Sequence, residues 1–137
     1  GQTRSFVYEV PEGSSESVTT EISDLKSGVY NVSIQFFGAD GEELTDDIFG
    51  HDKDEHFVYY SKLNNSNIQI VYADDDARDS DNNKLGQKTI WTVSEGKNTQ
   101  LVYLIHQPAV KDPDALSTEQ LGGEIDLEAH FVVTANK

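Results

Sequence analysis

Apolar and polar residues alternate along much of this chain with a period of two, the spacing of a strand that buries one face. Over residues 28–37, Tyr30, Val32, Ile34 and Phe36 share one face, and Asn31, Ser33 and Gln35 share the other. Over residues 125–133, Ile125, Leu127, Ala129, Phe131 and Val133 lie opposite Asp126, Glu128 and His130. Weaker runs at 5–10, 18–25, 56–63, 68–73 and 87–94 predict five more strands. Residues 99–106 are nearly continuous apolar, which suits a central strand covered on both faces.

The punctuation between these runs agrees with strands. Asp40-Gly41 favours a tight hairpin turn, and Glu95-Gly96-Lys97-Asn98 joins two strong runs. Ser117 and Glu119-Gln120 supply cap chemistry for a short helix over 114–121. Short strands with frequent turns predict a single all-β domain over residues 1–137, an immunoglobulin-like β-sandwich of about eight strands. Trp91 falls in a strand run and is expected in the core, although the Cys–Trp–Cys pattern of antibody domains is absent.

Composition narrows the function. A chain of 137 residues buries roughly two thirds of the surface that it exposes unfolded, enough to fold without staples. The formal net charge of -15 repels phosphate backbones and anionic lipid, so nucleic-acid binding is not expected. No apolar run reaches the roughly 20 residues of a membrane-spanning helix, and membrane insertion is not expected. With no cysteine, thiol catalysis, zinc–thiolate sites and disulfides are excluded. By analogy with the many cysteine-free surface proteins of Gram-positive bacteria, the chain is expected to be a monomeric domain of a larger extracellular, cell-surface or cell-wall protein.

Three constellations offer chemistry. The loop carrying Asp74, Asp76, Asp79, Asp81 and Asn83 gathers the hard oxygen ligands that calcium requires. Its spacing departs from a calcium-binding hand, with Lys84 where a turn glycine belongs and Ile90 where a bidentate Glu belongs; the plain alternative is a solvated acidic loop. His51 and His56 flank Asp52, Asp54 and Glu55 in a set that could hold zinc. Tyr103, His106 and His130 are candidate haem ligands, with Tyr103 and His106 on opposite faces of their strand. Catalysis is not expected. Both Ser-x-x-Lys segments, at Ser23 and Ser94, fall on strand ends and turns, and no nucleophile elbow or phosphate loop is present. Lys88 is the lysine expected to face inward, where an isopeptide bond would need it. Asn31 and Asn64 begin glycosylation sequons.

The segment Ile68-Gln69-Ile70-Val71-Tyr72, the acidic turn after it and Lys88-Thr89-Ile90-Trp91-Thr92-Val93 resemble the middle strands of a NEAT domain, the haem-capture β-sandwich of Gram-positive cell walls. Residues 99–108 resemble the strand before that family's haem loop, and 125–133 its final strand. Where haem-binding members carry Tyr-x-x-x-Tyr, this chain has Leu127 and Phe131. The family's serine-rich segment that covers haem has no clear counterpart, unless Ser14-Ser15-Glu16-Ser17 stands in for it. The resemblance implies capture of a protein in place of direct iron ligation.

The expected function is a non-catalytic binding or adhesion module for a protein or glycan, with haem or haemoprotein capture and a structural stalk as alternatives. Recognition is expected in loops 39–55, 74–86 and 107–123, where Asp40, Glu42, Asp52, Asp54, Asp112 and Asp114 offer charge. Calcium is the cofactor that these loops suggest.

Overall fold

Among the described residues, the alternating runs become seven strands in two sheets. The computed structural model describes residues 4–8, 19–62 and 67–137. Glu9, Val10, Val18, the Ser14-Ser15-Glu16-Ser17 segment and the Asn64 sequon lie outside the described residues. The strands are β1 (Thr19–Lys26), β2 (Gly28–Ser33), β3 (His56–Tyr60), β4 (Ile68–Tyr72), β5 (Lys88–Val93), β6 (Gly96–His106) and β7 (Glu124–Asn136). One sheet has the order β1-β7-β6-β3 and the other β2-β5-β4. Lettered along the chain, these are the C-F-G and B-E-D groupings of an immunoglobulin sandwich. β1 joins the first sheet at its edge, parallel to β7.

Local chemistry explains where elements differ from expectation. The run at 5–10 forms no strand over its described residues. Residues 4–8 are held beside β1 by side chains instead: Arg4 donates to the Ser23 and Asp24 carbonyls, and the Thr20 hydroxyl donates to the Val7 carbonyl. β2 stops at Ser33 because the chain then doubles back on itself. Phe37 bridges Glu43, Leu44 N–H donates to the Phe36 carbonyl, and the Phe36 N–H donates to the Thr45 hydroxyl. The expected helix over 114–121 is a single turn, Thr118–Gln120. Lys88 faces solvent, not the interior, so the isopeptide expectation fails at that residue.

Trp91, Thr89 and Val93 of β5 face the core, opposite Val58 and Tyr60 of β3. The Tyr60 ring stands edge-on to both Trp91 and Tyr72, with centroids 6.1 and 5.7 Å away. Such edge contacts add to the area that each aromatic buries. Tyr60 donates its hydroxyl to the Gly86 carbonyl at 2.7 Å, and the fully buried Gln100 donates to the Ser61 and Leu101 carbonyls. Each buried polar atom named here therefore has a partner, which is what burial demands.

The strand covered on both faces is β3, an edge strand, rather than the central β6. Alternation points Tyr59 and Ile105 away from the interior, yet they are 1% and 0% exposed. The long β6–β7 connection folds over them as a strap, burying Ala115 and Leu121 and taking a hydrogen bond from the Tyr59 hydroxyl at the Ala115 carbonyl. The free edge of β3 is closed by the β4–β5 connection, where Val58 N–H donates to the Leu85 carbonyl and Tyr72 donates to Val58.

Gly86 makes that closure achievable. Its φ is +94°, and a Cβ there would lie 2.6 Å from the Val58 carbonyl oxygen. Gly86→Ala is expected to destabilise the fold by roughly 2–4 kcal/mol through backbone strain and the forced shift of β3. Urea denaturation checks this as a lower midpoint at unchanged slope.

Candidate functional site

Strand directions place three connections at one end of the sandwich. β2, β4 and β6 finish there, and β3, β5 and β7 begin there. The connections are residues 34–55, 73–87 and 107–123.

A buried ion pair ties the three together. Lys111, from the β6–β7 connection, places its Nζ 2.7 Å from Asp79 Oδ2 on the β4–β5 connection. The same Nζ donates to the Lys53 and Asp54 carbonyls of the β2–β3 connection at 3.2 and 3.3 Å. The Lys111 and Asp79 side chains are 8% and 5% exposed. The backbone N–H and the hydroxyl of Ser80 both donate to the Asp54 carboxylate at 2.7 Å, a second clasp between two of the connections. These bonds hold the Asp54 carboxyl below its usual range. Burial pushes the Asp79 carboxyl up. Hydrogen bonds from Lys111 and Asn83, with the charge of Lys111, outweigh burial and hold it at about 2.

The calcium candidates divide. Asp76 is buried and accepts the Gly86 and Lys88 N–H groups at 2.7 and 2.8 Å. Asp79 accepts N–H bonds from Asp81 and Asn83 as well as the Lys111 ammonium. Asp74 is exposed beside Lys84, while Asp81 and Asn83 sit exposed at the loop tip. One of these candidates, Asp79, is engaged by the Lys111 ammonium.

The other loop candidates also divide. Asp40 caps its turn by accepting the Glu42 N–H, leaving the Glu42 side chain exposed. Asp52 pairs with His51. Asp112 accepts the Asp114 N–H, and Asp114 pairs with Lys62 just beyond β3, so this arm of the strap leaves the loop end and descends the edge of the sandwich. A cleft of about 330 Å³ opens there between β3 and β4, lined by Tyr60, Lys62, Ile68, Tyr72, Gln100 and Pro113; nothing in the hydropathy pattern marked it.

The haem candidates do not converge. Tyr103 stacks on Tyr59 on the strap side of the sheet, where burial and the neighbouring Glu128 push its phenol up, against the phenolate that iron ligation uses. His130 bonds Glu128 on that same face at 2.7 Å. His106 points to the opposite face at the loop end.

The histidines regroup. His51 is 84% exposed beside Asp52, whereas His56 leaves it and stacks on His106 with ring centroids 5.4 Å apart. A ring nitrogen of His106 and one carboxylate oxygen each from Glu124 and Asp126 lie within 4.8 Å of one another. Lys111, Glu124 and Asp126 carried no signal in the sequence, because their partners lie far along the chain. The β6–β7 register, which pairs His106 with Glu124, would have revealed the last group.

Lys111→Met leaves the Asp79 carboxylate buried without its counter-charge, and is expected to cost about 3 kcal/mol in chemical denaturation. A pH series gives a second check. Asp79 is lowered on folding from 3.8 to about 2. Its ionised form therefore stabilises the fold fully above pH 3.8, and that contribution disappears as pH falls through about 2. Asp79→Asn is expected to remove this component, flattening the loss of stability across that window relative to the unsubstituted protein.

Comparison with protein-family models, with curated proteins and with solved structures finds no match for this chain.

Proposed function

We propose that this chain is a non-catalytic, extracellular binding module of a bacterial surface protein, and that it takes a protein or glycan ligand on its loop end. The observation that carries this reading is the Lys111 clasp. Connections from three separate parts of the chain are fastened into one face by buried, charge-assisted hydrogen bonds. Loops ordered before a ligand arrives lose little freedom on binding, so more of the contact energy appears as affinity. A loop with no such task has no need of a buried ion pair, which gains little over apolar packing.

Acids outnumber bases among the outward groups on this face, although Lys84 and Lys88 pair with Asp74 and Asp75. Asp40, Glu42, Asp74, Asp75 and Asp81 are all exposed. The preferred ligand is therefore a basic protein surface, drawn in by complementary charge and weakened by salt.

Binding to immobilised basic proteins and to a glycan panel tests this. The double variant Glu42→Lys/Asp81→Lys is compared with Glu21→Lys, a charge reversal at an exposed residue of β1 away from the loop end. Retention of a ligand at about 50 mM salt that falls about tenfold at 300 mM, and falls likewise in the loop variant, is expected. Equal loss in Glu21→Lys, or no retained ligand, would overturn the reading.

A further inference from the structure

At the foot of the same end, His106, Glu124 and Asp126 bring ligand atoms within 4.8 Å of one another, and His56 stacks on His106 from the next strand. His56 of β3 lies directly across from His106 of β6, and His106 lies directly across from Glu124 of β7. Directly opposed residues share a face. Asp126 follows Glu124 by two and so returns to that face. A bulge makes room for it: Ile105 pairs with Ile125 and Leu104 with Leu127, leaving Asp126 as the extra residue. Bulges of this kind re-aim side chains and recur beside functional sites.

We propose that His56, His106, Glu124 and Asp126 form a binding site for one divalent transition-metal ion of the zinc class. The donor set is two imidazole nitrogens and two carboxylate oxygens, which suits zinc and its neighbours better than calcium or magnesium. Three of the donors already lie within 4.8 Å of one another. Ligands on a tetrahedral ion sit about 3.4 Å apart, so small side-chain rotations close the set.

Two features set this group apart from an acidic surface patch. The Nδ1 of His56 lies 3.2 Å from the Asp52 carbonyl oxygen. A carbonyl can only accept, so Nδ1 carries the proton and Nε2 keeps its lone pair. A backbone carbonyl that fixes the tautomer in this way is the usual support of a metal-bound histidine. In addition, none of the ion pairs among the described residues involves Glu124 or Asp126, so no lysine neutralises them. The site stands independently of the ligand proposed for the loop tips, and it lies on rigid strands, where metal geometry is held best.

Calorimetric titration of chelator-treated protein with zinc chloride is the test, with cobalt(II) absorption as a second readout of the ligand sphere. One ion per chain is expected, along with a cobalt spectrum of low-coordinate N/O ligation that zinc abolishes and excess calcium does not. His106→Ala and Glu124→Gln/Asp126→Asn should each weaken binding at least tenfold while the metal-free thermal midpoint stays near that of the unsubstituted protein. His51→Ala, which alters an exposed histidine nearby, should leave affinity unchanged. Absence of zinc binding, affinity indifferent to His106→Ala, or loss of binding in His51→Ala would overturn the proposal. Should His106→Ala fold poorly, the isosteric carboxamide variant alone decides.

Discussion

The Lys111 ammonium is the point on which the loop end depends. It is withdrawn from water and surrounded by one carboxylate oxygen from the β4–β5 connection and two neighbouring carbonyl oxygens from the β2–β3 connection. Desolvating a charge is costly, and only several well-placed acceptors recover that cost. The arrangement is therefore all or nothing. If one connection moves, the ammonium loses a partner and the others lose their anchor. In a protein with a net charge of -15, such an internal cation also relieves repulsion where acidic loops crowd together.

The sandwich was legible in the sequence because its evidence is local. Tyr30 and Val32, or Phe131 and Val133, reveal their shared face within a few residues, and period two survives whatever packs against it. The three connections were legible for the same reason. What stayed hidden depends on distance along the chain. Lys111 reads as one more charge in a polar loop until Asp79 is placed beside it, 32 residues away. His56 reads as the partner of His51 by proximity, and the strand pairing that turns it toward His106 cannot be seen in a short window. The burial of Tyr59 was likewise out of reach, since a strap from far downstream creates it. The short fifth-to-tenth run shows the opposite failure: alternation is present, but side chains rather than a ladder hold its described residues.

The acids of this chain serve two ends. Asp40, Asp76, Asp79 and Asp112 each accept backbone N–H groups and so build the turns that carry them. The high acid content is then partly architectural. Where a connection has no sheet to satisfy its amides, a carboxylate does so, with a charge-assisted bond stronger than a neutral one.

The course of the first and last described segments adds a matter of orientation. Arg4 is bonded beside Ser23 and Asp24, and β7 closes at Asn136 beside Lys26. Both places lie at the end of the sandwich away from the three connections. Arg4 and Asn136 thus share the base of the molecule. The loop face lies at the opposite end, a full strand length from Arg4 and Asn136.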